Sequence, residues 1–325
     1  MIRHGKELIL ATRPFAKEIR AKSWYYAIST LVFLTMALAG TVTLPFVLLR
    51  IASSIVAGLL MIRMFVIYHD HQHHSILTNS KSANLMMTVF GIYILSPSSI
   101  WKRSHDHHHN HNSKLFSASI GSFPIATRTR FLAMTRKEKF IYLAIRHPVT
   151  IGLGYFSMFM FGMCLRAFIS NPKKHVDALV ALVLHIAVSV TIFIMFGWLN
   201  WLLIFFVPFI IAFGLGAYLF YAQHNFPGVT FSENDEWAYE KAALESSSFM
   251  KMNKVMAWFT GNIGYHHIHH LNSKIPFYRL PEVLQQLPEL QTCKVTSLKF
   301  GEVWACLRLK LWDQEKNKMI TLKNI

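Results

Sequence analysis

PFVLLRIASSIVAGLLMIRMFVIYHDHQHH, residues 45–74, runs from a long apolar stretch straight into four histidines. A helix needs about 20 apolar residues, at about 1.5 Å of rise each, to cross a hydrocarbon core of about 30 Å. Pro45 to Ile67 meets that length. Imidazole is the commonest metal-donating side chain, so this stretch reads as a membrane span carrying metal donors at its water boundary. Working outward, the pairing recurs. HDHHHNH (His105 to His111) and HHIHH (His266 to His270) bring thirteen of the eighteen histidines into three clusters, and His224 stands apart in YAQHNF.

The chain has 325 residues, 53% hydrophobic and only 15% charged, against about 25% charged in an average soluble domain. Net charge is 33 − 16 = +17 with histidine neutral. Nucleic-acid binding would need a basic stripe on a soluble module. Here the basic residues flank apolar runs, where they orient spans and meet anionic lipid. Cys164, Cys293 and Cys306 form no C-x-x-C pair, and suggest neither a disulfide framework nor an iron–sulfur site. The charged N-terminal segment is expected to be a basic amphipathic arm at the membrane surface rather than a signal peptide.

Four stretches read as spans: Trp24 to Val42, Pro45 to Ile67, Asp177 to Trp198 and Trp201 to Tyr221. Ala83 to Ile100 is short and broken at Ser96-Pro97. Pro148 to Leu165 has basic residues at both ends. The links TVTLP (41–45) and LNW (199–201) carry no Lys or Arg, whereas the other connections are basic. Lys and Arg accumulate on the cytoplasmic side, so the two uncharged links face out, with Arg50 a dissenter that can snorkel. If the clusters build one site, an even number of crossings separates the second from the third, which makes Pro148 to Leu165 interfacial or re-entrant.

The expected fold is therefore an all-α integral membrane protein, with four transmembrane helices in two hairpins and a cytosolic helical cap holding the metal site. Its segments are the arm (1–22), a first hairpin (23–68), and clusters one and two with a short interfacial helix at 83–100 (69–146). An interfacial or re-entrant helix and basic link (147–175), a second hairpin (176–222), and a cap with cluster three and the C-terminal tail (223–325) follow.

Positions i, i+3 and i+4 share a helix face. Cluster one offers His69 and His73, cluster two His105, His108 and His109, cluster three His266, His269 and His270. With His224 these make nine imidazoles, too many for one tetrahedral zinc and suited to two ions. Asp70 and Asp106 are expected to orient imidazoles from behind. His71, His74, His107, His111 and His267 read as supporting or surface groups. A histidine-rich buffer tract would lack fixed helical phase. His4, His147 and His175 read as surface or interfacial, and His185, inside a span, as a neutral imidazole bonding a neighbouring helix. Gly214-x-Gly216 reads as a close-packing motif.

HDHQHHSIL, WKRSHDHHHNHN, FYAQHNF and GNIGYHHIHHLNSKIPFYRL together resemble the membrane-bound fatty acid desaturase superfamily, particularly bacterial acyl-lipid desaturases. The likeness runs from about Arg63 to Leu280 and is most specific from Tyr221 through EWAYEKAALESSSF to Tyr278. It matches H-D-x-x-H on His69 and His73, W-x-x-x-H-x-x-H-H on Trp101, His105, His108 and His109, and Gln-His on Gln223 and His224. The third box falls on His266, His269 and His270. One departure is His71-Gln72, where close relatives usually have Cys-Gly. The resemblance implies two irons in a cytosolic cap at the bacterial inner membrane, O2 as co-substrate, and a fatty acyl chain in a bent apolar tunnel receiving a cis double bond.

Taking hydrogen from an unactivated methylene exceeds acid–base side-chain chemistry, so a metal–oxygen oxidant must carry it. The acyl carrier (glycerolipid, CoA or acyl-carrier protein) stays open. Electrons are expected from a partner such as ferredoxin or cytochrome b5 with its reductase. Lys102, Arg103, Arg128, Arg130, Arg136 and Lys137 offer a basic face for an acidic carrier, or serve only orientation and lipid contact. The competing readings are a same-superfamily lipid hydroxylase or carotenoid oxygenase and a histidine-rich metal transporter, whose donors would lie at membrane depth.

Overall fold

The computed structural model describes residues 3–115 and 121–325. Residues 1–2 of the expected arm and 116–120 of the expected 69–146 segment lie outside the described residues. Helix α1 (Gly5–Thr12) is strapped across the histidine-bearing part of the chain. Arg3 pairs with Glu289 at 2.7 Å, the Gly5 amide donates to Glu240 at 2.7 Å, and Leu8 is buried. The arm expected at the membrane surface is thus anchored on protein.

Helices α2 (Arg20–Thr43) and α3 (Val47–Gln72) form an antiparallel hairpin. Pro45 sets the turn, because the residue before a proline is pushed out of the helical region, and Leu44 is extended at φ −69°, ψ 141°. Helix α3 is the buried centre, packed by α2 on one side and by the chain after residue 206 on the other. Arg63 sits buried in α3 with its guanidinium 4.1 Å from the Trp258 ring, tying the hairpin to the region around the third cluster.

After α3 come α4 (Lys81–Tyr93) and α5 (Ser98–His111), whose axes meet at 92°. The expected helix over 83–100 therefore ends at Tyr93, and residues 98–100 open the helix of the second cluster behind Pro97. Helix α6 (Arg136–Ile145) starts on a capping box, with Thr135 and Glu138 bonding each other's amides. Segment α7 (Tyr155–Arg166) is wound as a wider π-helix and continues helically to Ser170.

Helix α8 (Val176–Trp201) breaks at Gly197, whose φ of 77° suits glycine alone. The chain then folds back through α9 (Val207–Ala222). Trp201 donates to Ser189 at 2.8 Å, and the His185 ring lies 4.7 Å from both Phe205 and Phe209. His185 itself bonds Tyr155 of α7, the role expected of a lone imidazole among apolar helices. Arg50 donates to the Thr41 carbonyl and to Asn200, so both uncharged links lie at one end. It bridges the two turns rather than snorkelling.

Among the described residues, three helical stretches are long and apolar enough to cross a membrane: Arg20–Thr43, Val47–Gln72 and Val176–Ala222. The last has 47 residues, about 70 Å if straight, more than twice a hydrocarbon core, which is why its reversal at Gly197 matters. These helices make the chain a membrane protein. The chain is mostly helical, as expected, with a few short strands that the sequence did not announce. Among the described residues β1 (Ala126–Thr127) pairs parallel with β4 (Leu311–Asp313), β4 antiparallel with β5 (Lys318–Ile320), and β2 (Phe249–Lys251) parallel with β3 (Val295–Ser297). Strands of two or three residues are too short to show a period of two in sequence.

Candidate metal centre

Four helix ends converge beneath the hairpins. The last turn of α3 delivers His69, and His73 caps it; α5 delivers His105, His108 and His109. Just past α9 stands His224, and helix α10 (His266–Leu271) delivers His266, His269 and His270. These nine imidazoles sort into two groups whose ring nitrogens lie within 4.8 Å of one another: His69, His73, His105, His109 and His269, then His108, His224, His266 and His270. Helical phase does the sorting. In α5 the i, i+4 pair His105 and His109 joins the first group, and His108 turns to the second. In α10 the pair His266 and His270 joins the second group and His269 the first. The groups abut where the His109 and His270 rings stack at 4.2 Å.

The nitrogens fit a cation better than they fit each other. In the first group Nε2 separations are 2.9 Å for His69–His105, 3.1 Å for His105–His109 and 3.1 Å for His109–His269. In the second they are 3.0 Å for His108–His224, 2.9 Å for His224–His266 and 3.2 Å for His266–His270. His224 Nδ1 donates to the Ser246 carbonyl at 3.0 Å and His69 Nδ1 to Asp70 at 3.1 Å. Those partners only accept, so the proton is on Nδ1 and each Nε2 is a bare lone pair facing other nitrogens. Buried His73 Nε2 has no hydrogen-bond partner among the described residues. Burial lowers the pKa of His224 to about 4 and those of His266, His269 and His270 well below the ordinary imidazole value. They are neutral donors at physiological pH, as metal ligands must be.

A sequence profile of the fatty acid desaturase family matches residues 44–296, a span that contains both groups and the helices presenting them. The chain belongs to the fatty acid desaturase family. It is 30% identical over 286 residues to the fatty acid desaturase of Bacillus subtilis (strain 168), covering 86% of this chain and 79% of that one. It is 26% identical over 266 residues to the sn-1 oleoyl-lipid 12-desaturase of Anabaena variabilis, covering 80% and 75%. The protein is accordingly a membrane oxidoreductase, a fatty acid desaturase with a lipid acyl substrate, and its histidine clusters form a metal site.

The residues expected behind the ligands fall differently. Asp70 is buried, accepts from His69 and takes the Phe277 amide on its other oxygen at 2.7 Å, which fixes the His69 ring. Asp106 instead pairs with Lys102 at 2.9 Å on a half-exposed face, a correction to its expected role behind an imidazole. One step along a helix rotates a side chain by about 100°, so Asp106 points away from the side used by His105 unless another element covers it. His71 bonds Asn84 at 2.9 Å, and His267 bonds the Leu290 carbonyl at 3.3 Å; neither joins a group. His107 and His111 stack on each other at 3.9 Å.

Two partners came without a sequence signal. Ser122 Oγ bonds His108 Nδ1 at 2.5 Å, and a backbone carbonyl, that of Ser246, orients His224. Trp101, four residues before His105, stacks on its ring at 4.5 Å. His175, read as surface or interfacial, is buried and bonds Ser99 at the start of α5.

A cavity of about 580 Å³ lies between α3, α5, α7 and α9 and touches His69, His105 and His266. Away from these histidines its walls are mostly apolar, with Met61, Phe159, Met163 and Phe213 among them, and Ser104, Ser122, Arg166, Ser170 and Gln223 as the polar exceptions. Asp70→Asn is expected to lower metal affinity about ten- to a hundredfold, the usual effect of removing an outer partner of a ligand. Metal retained against a graded chelator measures this, and retention equal to the parent protein would refute the role given to Asp70.

Proposed function

We propose that the protein introduces a cis double bond into a lipid acyl chain at a di-iron centre, using O2 and electrons from a separate donor. What carries this reading is the meeting of nine imidazoles, His224 half-buried and the other eight buried, in two groups at the end of a mostly apolar cavity. His69, His73, His105, His109 and His269 would hold one iron, and His108, His224, His266 and His270 the other. Bound there, the irons supply the oxidising chemistry that takes two hydrogens from an unactivated chain.

The protein's own part is binding, position and exclusion of water. Each methylene entering the cavity gains about 0.8 kcal/mol, which supports holding the chain against His69 and His105. Trp101 and Asp70 keep those imidazoles from turning and so preserve a near-attack geometry. The reversals at Pro45 and Gly197, bridged by Arg50, support four spans in two hairpins with Tyr155–Ser170 re-entrant. The basic connections support a cytosolic site. Lys102 is taken up by Asp106, leaving exposed Arg103, Arg130, Arg136 and Lys137 as the face suited to an acidic donor such as ferredoxin, or cytochrome b5 with its reductase.

The test is purified protein in lipid with a reductase system, assayed for metal content and by mass spectrometry of the acyl products. Loss of two hydrogens that depends on iron, O2 and reductant is expected. Gain of one oxygen instead would assign a hydroxylase, and turnover with no bound iron would overturn the di-iron reading.

A further inference from the structure

The cavity beside the metal centre has an opening, and its lining residues say where. Among the described residues that line it, all are buried or half-buried except Arg166 and Ser170 at the end of α7. The mouth is therefore there, on the flank of the molecule. Phe161, Leu165 and Ile169, the neighbours of this pair along α7, are 57%, 38% and 67% exposed. An apolar rim of that kind belongs against lipid rather than water. Arg166 is the only Lys or Arg among the described lining residues, and among the described residues it has no ion pair or hydrogen bond. Exposed Lys173 and Lys174 follow it. An unpaired guanidinium at an apolar rim offers a planar fork of donors that matches phosphate oxygens two at a time.

We propose that Arg166 binds the phosphodiester of a membrane phospholipid while that lipid's acyl chain enters the cavity sideways from the bilayer. This rests on the desaturase reading and adds the head-group class and the direction of entry. The phosphate held at Arg166 then becomes the fixed end from which the distance to the metal-bearing histidines is counted. A soluble thioester carrier also bears phosphate, but its bulk would have to reach a mouth rimmed by Phe161, Leu165 and Ile169. The lipid is the source this geometry favours.

The parent protein, Arg166→Gln and Arg166→Lys are compared in bilayers where the same acyl chains are carried by phosphatidylglycerol, by diglucosyldiacylglycerol, or by coenzyme A added in solution. The parent is expected to prefer phosphatidylglycerol by about tenfold in kcat/KM, the worth of one charge-assisted contact. Arg166→Gln is expected to erase that preference through KM, with Arg166→Lys restoring part of it. An unchanged preference in Arg166→Gln, or an Arg166 effect confined to the coenzyme A substrate, would overturn the proposal. A photoactivatable phosphatidylglycerol checks the mouth without turnover: labelling at residues 166–170 should fall in Arg166→Gln. Such labelling in a protein that never desaturates would keep the mouth and sink the desaturase reading, and labelling that ignores Arg166 would do the reverse.

Discussion

Replacing His269 with Ala is expected to lower desaturation by more than about a hundredfold, beyond what the loss of an outer partner costs. His269 is fully buried, its Nε2 lies 3.1 Å from that of His109, and its ring is 4.5 Å from that of His69. The substitution removes one of five donors from the first group and leaves a void in its place. The second group draws no donor from His269, so bound iron should fall by roughly half rather than vanish. His266→Ala should lower iron similarly through the other group, and the double variant should lose nearly all of it. His147, exposed and bonded to the Val149 amide, supplies the control, and His147→Ala should keep both iron and turnover. Metal analysis beside single-turnover product counts decides the matter. Full iron and full rate in His269→Ala would remove this imidazole from the centre.

Much of this centre was legible because histidine spacing and helix geometry are both short-range. His105, His108 and His109 share a face for any regular helix, and the same holds for His266, His269 and His270. The division of each trio between two groups was not legible, since it depends on how α5 and α10 approach each other across 160 residues of chain. Asp70 and Asp106 show the same limit. Each follows a histidine by one position and looks identical in sequence, yet only Asp70 is covered by another element, the backbone at Phe277. Buried Arg63 and Arg146 could not be foreseen, because their partners are ring faces and carbonyls from distant segments. Hydropathy located the long apolar helices, and it missed the short strands, whose pairing is wholly tertiary.

Gly216→Leu is expected to leave the metal centre intact and to exclude long chains. The motif Gly214-x-Gly216 reads as two packing glycines, but the structure separates them. A Cβ at Gly214 would lie 2.7 Å from the Gly152 carbonyl, whereas one at Gly216 would meet nothing within 4 Å. Gly214 permits close approach, and Gly216 lines the cavity. On α9 it stands eight residues before His224, about 12 Å at 1.5 Å per residue, so a side chain there grows into the deep part of the cavity. A leucine side chain takes the room of about four methylenes, and at about 0.8 kcal/mol each the intrusion costs a long chain about 3 kcal/mol of binding, roughly a hundredfold. Chains that end short of it lose little, so the product profile should move toward shorter acyl groups, with iron content and thermal stability unchanged. Gly214→Leu should instead destabilise the protein, because its new side chain meets backbone that cannot yield. Gas chromatography of acyl products from a host expressing each variant reads the first outcome, and thermal unfolding in detergent reads the second. If Gly216→Leu gave the parental chain-length profile with the parental rate, the acyl chain would have to lie somewhere other than this cavity.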